Sequence, residues 1–195
     1  MLDDILGIIF KAAYWLLVPV ALLRFYMQWR RIPFRNPLGA FVCAITDWLV
    51  LPLRRVLKGA LGGALGFDWP SLAAAMIFEW GLAALFDVVS ARFALFNSSA
   101  ALTTWIIAGG FGLLTTALNM MIFITIVAAV LSWMRADNPL GDVLDALAAP
   151  WLQPIRRRLP MVGGFDLSPL VLIVLLQIAL VILARAQTLV LMALR

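Results

Sequence analysis

The sequence predicts an all-α membrane protein, with four transmembrane helices arranged as two parallel two-helix repeats. Each repeat also carries a short helix on the cytoplasmic side, which is either interfacial or re-entrant. Three observations support this prediction. Of the 195 residues, 65% are hydrophobic, whereas a soluble domain contains about 45–50% apolar residues. One sequence pattern occurs twice, and the basic residues are concentrated beside its two copies.

The repeated pattern starts with an Asn-Pro pair, continues to a proline followed by two arginines, and ends with Gly-Phe-Asp. The same offset relates Asn36 to Asn138 and the proline of the first copy to that of the second, which indicates an internal duplication. The duplicated residues are Asn36, Pro37, Pro52, Arg54, Arg55, Gly66 and Asp68 in the first copy, and Asn138, Pro139, Pro154, Arg156, Arg157, Gly164 and Asp166 in the second. We therefore predict repeats at residues 1–91 and 109–195, joined by an extracytoplasmic linker or helix at 92–108.

Four apolar stretches are each long enough to cross a hydrocarbon core of about 30 Å. They run from Leu6 to Trp29, from Pro70 to about Val89, from about Phe111 to Trp133, and from Pro169 to about Ala184 or further. Because each repeat holds two of these spans, both copies are expected to enter the membrane from the same side. Such copies are related by a pseudo-two-fold axis along the membrane normal.

Charged and small residues modify two of these spans. Lys11 and Arg24 lie near the two ends of the first span, and we expect both side chains to extend outward to water. Gly109, Gly110 and Gly112 lie just before or at the start of the third span. We expect these glycines to break or bend the helix, because glycine is unfavourable in a helix interior.

A short amphipathic helix precedes the second span of each copy. An asparagine caps it, and a proline takes its first position, where the missing N–H is not needed. A later proline is expected to end it. The residues that start and stop the two helices are Asn36, Pro37 and Pro52, and Asn138, Pro139, Pro150 and Pro154. At about 15 residues, such a helix is too short to span. It lies flat in the interface or forms part of a re-entrant hairpin.

The residues between each short helix and the following span are expected to form a turn and a cap. Gly66 and Gly164 are interpreted as turn residues. Asp68 and Asp166 are predicted to cap the next helix and to contact a nearby arginine. In the second copy, Ser168 is expected to cap the fourth span and Pro169 to open it.

The distribution of Lys and Arg predicts the orientation. Basic residues are concentrated in the two short-helix segments, whereas the linker between the copies contains only Arg92. By the positive-inside rule, both short-helix segments face the cytoplasm and both termini lie outside. The predicted location is the bacterial cytoplasmic membrane.

Five arginines are candidates for contact with anionic lipid headgroups or a partner protein: Arg54, Arg55, Arg156, Arg157 and Arg158. A guanidinium offers a planar fork to phosphate oxygens. The alternative is that these residues only set the topology. Partners are therefore expected to be membrane lipids and another membrane protein or a second copy, and no nucleic acid is expected.

Several polar residues fall inside the predicted spans: Glu79, Asn119, Gln177, Asp87 and Arg185. A carboxylate at mid-span is unfavourable by about 2.5–3.5 kcal/mol, so Glu79 should face the helix bundle. It is either a protonated acid, hydrogen-bonded to Asn119, Gln177 or a backbone carbonyl, or a proton or cation site. Asp87 and Arg185 occupy equivalent positions in the two copies. They form either an ion pair between the repeats or two independent charges.

The residue types limit the chemistry. The chain has no histidine and one cysteine, Cys43, which excludes a Ser-His-Asp triad, a Cys-His pair, bis-histidine haem ligation and an internal disulfide. We expect no catalytic residue, no cofactor and no metal site, and therefore no enzyme.

The repeated pattern resembles the YggT family, also called YlmG. The second copy carries the likeness most fully, in Leu131-Ser132-Trp133 and in the stretch from Asp166 to Leu170. The first copy differs, with Trp69-Pro70-Ser71 after its aspartate and Glu79 in place of Gln177. The resemblance implies an integral membrane protein without known catalytic residues, linked to cell division, osmotic tolerance or assembly of membrane complexes.

Two functions therefore follow as expectations. The first is a non-enzymatic membrane scaffold or assembly factor that acts through its basic face. The alternative is a small channel or transporter component for K⁺, protons or osmolytes, with Glu79 and Asn119 as its intramembrane site.

Overall fold

Six α-helices form the part of the chain that the computed structural model describes, which comprises residues 2–61, 68–89, 99–133, 139–158 and 166–194. The predictions for Gly66, Asn138 and Gly164 lie outside these residues. The helices are α1 (Leu2–Trp29), α2 (Pro37–Leu61), α3 (Trp69–Val89), α4 (Ser99–Trp133), α5 (Pro139–Arg156) and α6 (Ser168–Ala193).

Four of these helices, α1, α3, α4 and α6, are long and apolar enough to cross a membrane. The prediction of four spans is confirmed at this level of length and composition. Large apolar side chains such as Val181, Ile182 and Leu189 of α6 are more than half exposed. Because water disfavours such a surface, these helices indicate a membrane protein.

The prediction that prolines end the two shorter helices is wrong. α2 continues through Pro52 to Leu61, and α5 continues through Pro150 and Pro154 to Arg156. An internal proline removes one backbone hydrogen bond and bends the helix. In α5, Leu147 and Leu152 are buried on either side of Pro150, so tertiary packing offsets the local loss.

Of the two effects predicted for the glycines of the third span, a break is contradicted, since α4 is one helix of 35 residues that begins at Ser99, while a bend stays a prediction. Two of the glycines bring α3 close to α4. A side-chain carbon added at Gly109 would overlap the indole of Trp80, and one at Gly112 would overlap the carboxyl of Glu79. The indole N–H of Trp80 also donates to the Ile106 carbonyl, at 3.2 Å.

The helices pack in two similar sets. α1 packs against α3 and α4 against α6, while α2 lies against α1 and α3 and α5 lies against α4 and α6. The sets meet where α4 contacts α1 and α3, and where α5 contacts α2.

One buried cluster joins the two sets of helices. It places Tyr26 and Met27 of α1 beside Ile124 of α4, Leu147 of α5 and Leu172 of α6. A second cluster, containing Val18 and Phe78, holds α1 against α3. The apolar core therefore spans the two halves of the chain and holds them together.

The close approach at Gly109 yields a prediction with an internal control. Gly109→Ala should lower the free energy of unfolding by about 1–3 kcal/mol, because the added methyl group displaces the rigid Trp80 indole. A Cβ at Gly110 meets no atom within 4 Å, so Gly110→Ala should raise stability by up to about 1 kcal/mol through helix propensity. Thermal unfolding in detergent measures both changes, and equal midpoints for the two variants would contradict the packing explanation.

Candidate functional site

A buried carboxylate, that of Asp68 just before α3, joins the start of α3 to Arg54 of α2. Nη2 of Arg54 donates to both carboxylate oxygens of Asp68, at 3.1 Å each, and to Oε1 of Gln28 in α1 at 3.3 Å. The hydroxyl of Ser71 also donates to Asp68. The Asp68 side chain is 4% exposed and that of Arg54 is 30% exposed. Arg54 thereby links three helices through one guanidinium.

The equivalent residues of the second copy form the same type of contact. Nε of Arg156 donates to Oδ2 of Asp166 at 2.6 Å, and Oδ1 of Asp166 accepts from the backbone N–H of Ser168 at 2.9 Å. The arginine contact predicted for each aspartate is therefore present in both copies. We call these two sites, Arg54–Asp68 and Arg156–Asp166, the arginine–aspartate corners.

Hydrogen bonds make the Asp166 carboxyl more acidic than an ordinary carboxyl. Burial alone would raise the pKa of Asp166, but hydrogen bonds from Ser168 and Arg156, together with the arginine charge, hold this pKa below its usual value. The pair is more open than its counterpart, with side-chain exposures of 41% for Arg156 and 23% for Asp166.

The prediction that Ser168 caps α6 is wrong. Leu167 occupies the N-cap position without a side-chain cap bond, and Ser168 is the first helical residue. The carboxylate of Asp166 caps the helix instead, because it already accepts the Ser168 N–H. Pro169 lies in the first turn, as the sequence predicts.

Asn36 caps α2, as the sequence predicts. Its Oδ1 accepts the backbone N–H of Gly39 at 2.7 Å, and its Nδ2 donates to the carbonyl of Pro33 at 2.5 Å. Pro37 is the first helical residue. A Cβ at Gly39 would lie 2.6 Å from the backbone of Phe34, which explains the glycine in this Asn-Pro-Leu-Gly segment.

An ion pair that the sequence interpretation does not include joins α1 to α2, between the buried Arg24 and Asp47, whose side chain is 41% exposed. Arg24 is 4% exposed, and its Nη1 lies 2.6 Å from Oγ1 of Thr46 and 2.7 Å from Oδ1 of Asp47. The expectation that Arg24 extends outward to water is therefore wrong, since a partner carboxylate makes burial favourable. The acidic residue in an otherwise apolar segment of α2 was the signal that could have predicted this pair.

The intramembrane polar residues do not form the predicted group. Asn119 donates to the Thr115 carbonyl of its own helix at 3.0 Å, and Gln177 is exposed on α6. Glu79 lies instead against Gly112, and the Tyr14 hydroxyl is close to the same glycine. The predicted Asp87–Arg185 pair involves the side chain of Asp87, which lies outside the described residues; Arg185 is exposed.

The five candidate arginines divide into two groups. Arg54 and Arg156 hold the corner aspartates, whereas Arg55, Arg157 and Arg158 are exposed beside them. Exposed guanidinium groups at a helix end can bind phosphate or carboxylate groups. Within the described part of the chain, no three Cys, Asp or Glu side chains cluster closely enough to bind a metal ion.

The first corner yields a stability prediction. Arg54→Ala removes the partner of an almost fully buried carboxylate, and it should lower the free energy of unfolding by about 2 kcal/mol, less than the 3–5 kcal/mol typical of a fully buried pair. Arg55→Ala is the matched control and should change stability by less than about 0.5 kcal/mol. Thermal unfolding in detergent compares them, and a similar loss in both variants would refute a specific role for Arg54.

The second corner yields a pH prediction. Because the folded pKa of Asp166 lies below the unfolded value of about 3.9, its contribution to stability is complete above that value and is lost as the pH falls through the folded pKa. The wild-type protein should therefore lose more stability than Asp166→Asn when the pH falls from about 5 to about 3. Unfolding midpoints across this range test the difference, and parallel curves would argue against the corner.

Comparison with known proteins identifies the family of this chain. The model of the CCB3/YggT family matches residues 2–89 and 107–187. The chain is 38% identical over 161 residues to the uncharacterized protein YggT of Escherichia coli K12, which covers 82% of this chain and 78% of the relative. It is 31% identical over 165 residues to an uncharacterized protein of Vibrio alginolyticus, covering 84% and 85% of the two chains. No solved structure matches the chain. The chain therefore belongs to the CCB3/YggT family.

Proposed function

We propose that this protein is a non-enzymatic scaffold or assembly factor of the bacterial cytoplasmic membrane. In this proposal, its exposed arginines hold anionic lipid headgroups while it assembles with another membrane protein or a second copy. The observation that carries the proposal is the pair of arginine–aspartate corners. Each corner joins an arginine of a shorter helix to the start of a span, with Arg55 exposed beside the first corner and Arg157 and Arg158 exposed beside the second.

The proposal includes a parallel arrangement of two repeats, which the internal contacts support. The corners join equivalent residues of the two sequence copies, and the helix pairs α1–α3 and α4–α6 pack alike. Tyr14 and Thr116, 102 positions apart, are also equivalent, and their hydroxyl oxygens lie 3.3 Å apart. Contact between equivalent residues is expected at a two-fold axis. Parallel copies put both corners on one side of the membrane, which the positive-inside rule assigns to the cytoplasm.

An interfacial position for α2 and α5 fits their shape better than a re-entrant hairpin. Each is a single helix in which the chain does not reverse direction. In α5, Leu144, Leu147 and Leu152 are buried on one face, while Asp142 and Asp145 are exposed on the other. Because exposed carboxylates are unfavourable in the hydrocarbon region, Asp142 and Asp145 support a position of α5 at the boundary between lipid and water.

The exposed arginines give the proposed surface its chemistry. Each basic residue near an anionic membrane surface contributes about 1 kcal/mol of binding free energy. Arg55, Arg157 and Arg158 together would contribute about 3 kcal/mol, or roughly a hundredfold in affinity. The corner aspartates do not cancel this charge, because they pair with Arg54 and Arg156.

A conducting role for Glu79 and Asn119 has weaker support. Glu79 lies at the level of Gly112, and Asn119 is two turns further along α4, about 10 Å along the helix axis. Asn119 also uses its amide within its own helix. The two side chains therefore do not form the joint polar site that the channel hypothesis requires.

Replacing the exposed arginines tests the proposal. The triple variant Arg55→Ala, Arg157→Ala and Arg158→Ala should lose most of its bound anionic lipid and its co-purifying membrane partner, because the phosphate-binding charges are gone. Arg185→Ala is the matched control, since it removes an exposed arginine from α6, away from the corners. Native mass spectrometry of protein extracted from the membrane measures both ligands. Equal retention by the triple variant and the control would overturn the proposal.

A further inference from the structure

Among the described side chains of the four spans, one carboxyl group is buried. Glu79 lies near the middle of α3 and is 6% exposed. Its Oε2 is buried without a hydrogen-bond partner among the described residues. Glu79 is also the only glutamate in the sequence. The proposed scaffold function does not use this residue.

Three helices surround this carboxyl. The Tyr14 hydroxyl of α1 and the Glu79 carboxyl both lie beside Gly112, with 3.7 Å between that hydroxyl oxygen and an ideal Cβ on Gly112. The same hydroxyl oxygen lies 3.3 Å from Oγ1 of Thr116 in α4. Gly112 of α4 provides the space, because a Cβ at that position would overlap Oε1 of Glu79. The groups form a short chain, Glu79–Tyr14–Thr116, that runs from α3 through α1 to α4.

The charged groups on the surrounding helices do not neutralise a carboxylate at this position. On α1, Lys11 is exposed and Arg24 is paired with Asp47 of α2. Arg54 of α2 is paired with Asp68.

α4 carries no charged residue in its sequence. α2 approaches this part of α3 through an aromatic contact between Trp48 and Phe78, with ring centroids 5.7 Å apart. Among the described residues, the titratable group that faces Glu79 is therefore the neutral phenol of Tyr14.

An ionised carboxylate is strongly disfavoured in such surroundings. Burial of an unpaired charge in an apolar medium is so unfavourable that the group takes up a proton instead. A neutral carboxylic acid carries no charge that needs a cation partner, although it keeps an O–H donor and acceptor oxygens. The lack of a cation partner among the described residues agrees with this form.

We propose that Glu79 is a proton-binding site, held as a neutral carboxylic acid at neutral pH and linked through Tyr14 to Thr116. The hydroxyl groups of the chain can reverse their donor direction when the proton is lost, because either oxygen of the Tyr14–Thr116 contact can donate. Release of the proton therefore changes the contact between the first two spans and the third. This assignment stands independently of the scaffold function.

The unique glutamate allows a test in the unmutated protein. Glutamate labelled with ¹³C at the side-chain carboxyl gives one signal, from Glu79, in full-length protein reconstituted into lipid. Solid-state NMR should show the chemical shift of a protonated carboxyl at neutral pH, with a change to the carboxylate shift only in alkaline buffer. A carboxylate shift already present at neutral pH would overturn the proposal.

Two variants test the hydrogen-bonded chain. Tyr14→Phe removes the phenol oxygen and should move the Glu79 signal at neutral pH, whereas Asp166→Asn, at the distant second corner, should leave it unchanged. A Tyr14→Phe spectrum identical to the wild type would refute the link through Tyr14. If Tyr14→Phe fails to fold, Thr116→Val provides the same comparison, because it removes the hydroxyl at the other end of the chain.

Discussion

The rest of this fold depends on the ion pair between an arginine of each shorter helix and the aspartate that precedes the next span. At the first corner, the guanidinium of Arg54 reaches Asp68 and Gln28 and so joins three helices. The carboxylate is almost entirely buried, and a buried charge must be paired to be tolerated. The Arg54–Asp68 pair thereby constrains the direction of α3 relative to α2 in addition to the apolar packing.

Polar contacts add to the apolar core that holds the two halves of the chain together. The hydroxyl of Tyr26 in α1 donates to the Leu147 carbonyl of α5 at 2.8 Å and accepts from the indole of Trp151 at 3.1 Å. These hydrogen bonds require a defined orientation of α1 relative to α5, which apolar packing alone does not. Glycines in α4 extend the same junction, because they admit Trp80 and Glu79 from α3.

Features set by local chemistry or length could be predicted from the sequence, and those set by tertiary neighbours could not. Four spans, the Asn36 cap and the two aspartate–arginine contacts follow from hydropathy, cap chemistry and the spacing of the repeats. The local effect of proline predicts helix ends at Pro52 and Pro150, yet both helices continue past them. The local effect of glycine predicts a break or bend in α4. Two of these glycines make room for Trp80 and Glu79 of α3, which the local sequence does not reveal. The local sequence places the Arg24 side chain in water, because it does not identify Asp47 of α2 as the partner of this arginine.

The central claim is that both arginine–aspartate corners lie on the cytoplasmic side, in two copies inserted in the same direction. Cysteine labelling tests it directly in a Cys43→Ser background, with Arg55→Cys and Arg157→Cys examined one at a time beside the two corners. A maleimide that cannot cross the membrane should label both positions in inverted vesicles and neither in intact spheroplasts. Labelling of either position in intact spheroplasts would contradict the account.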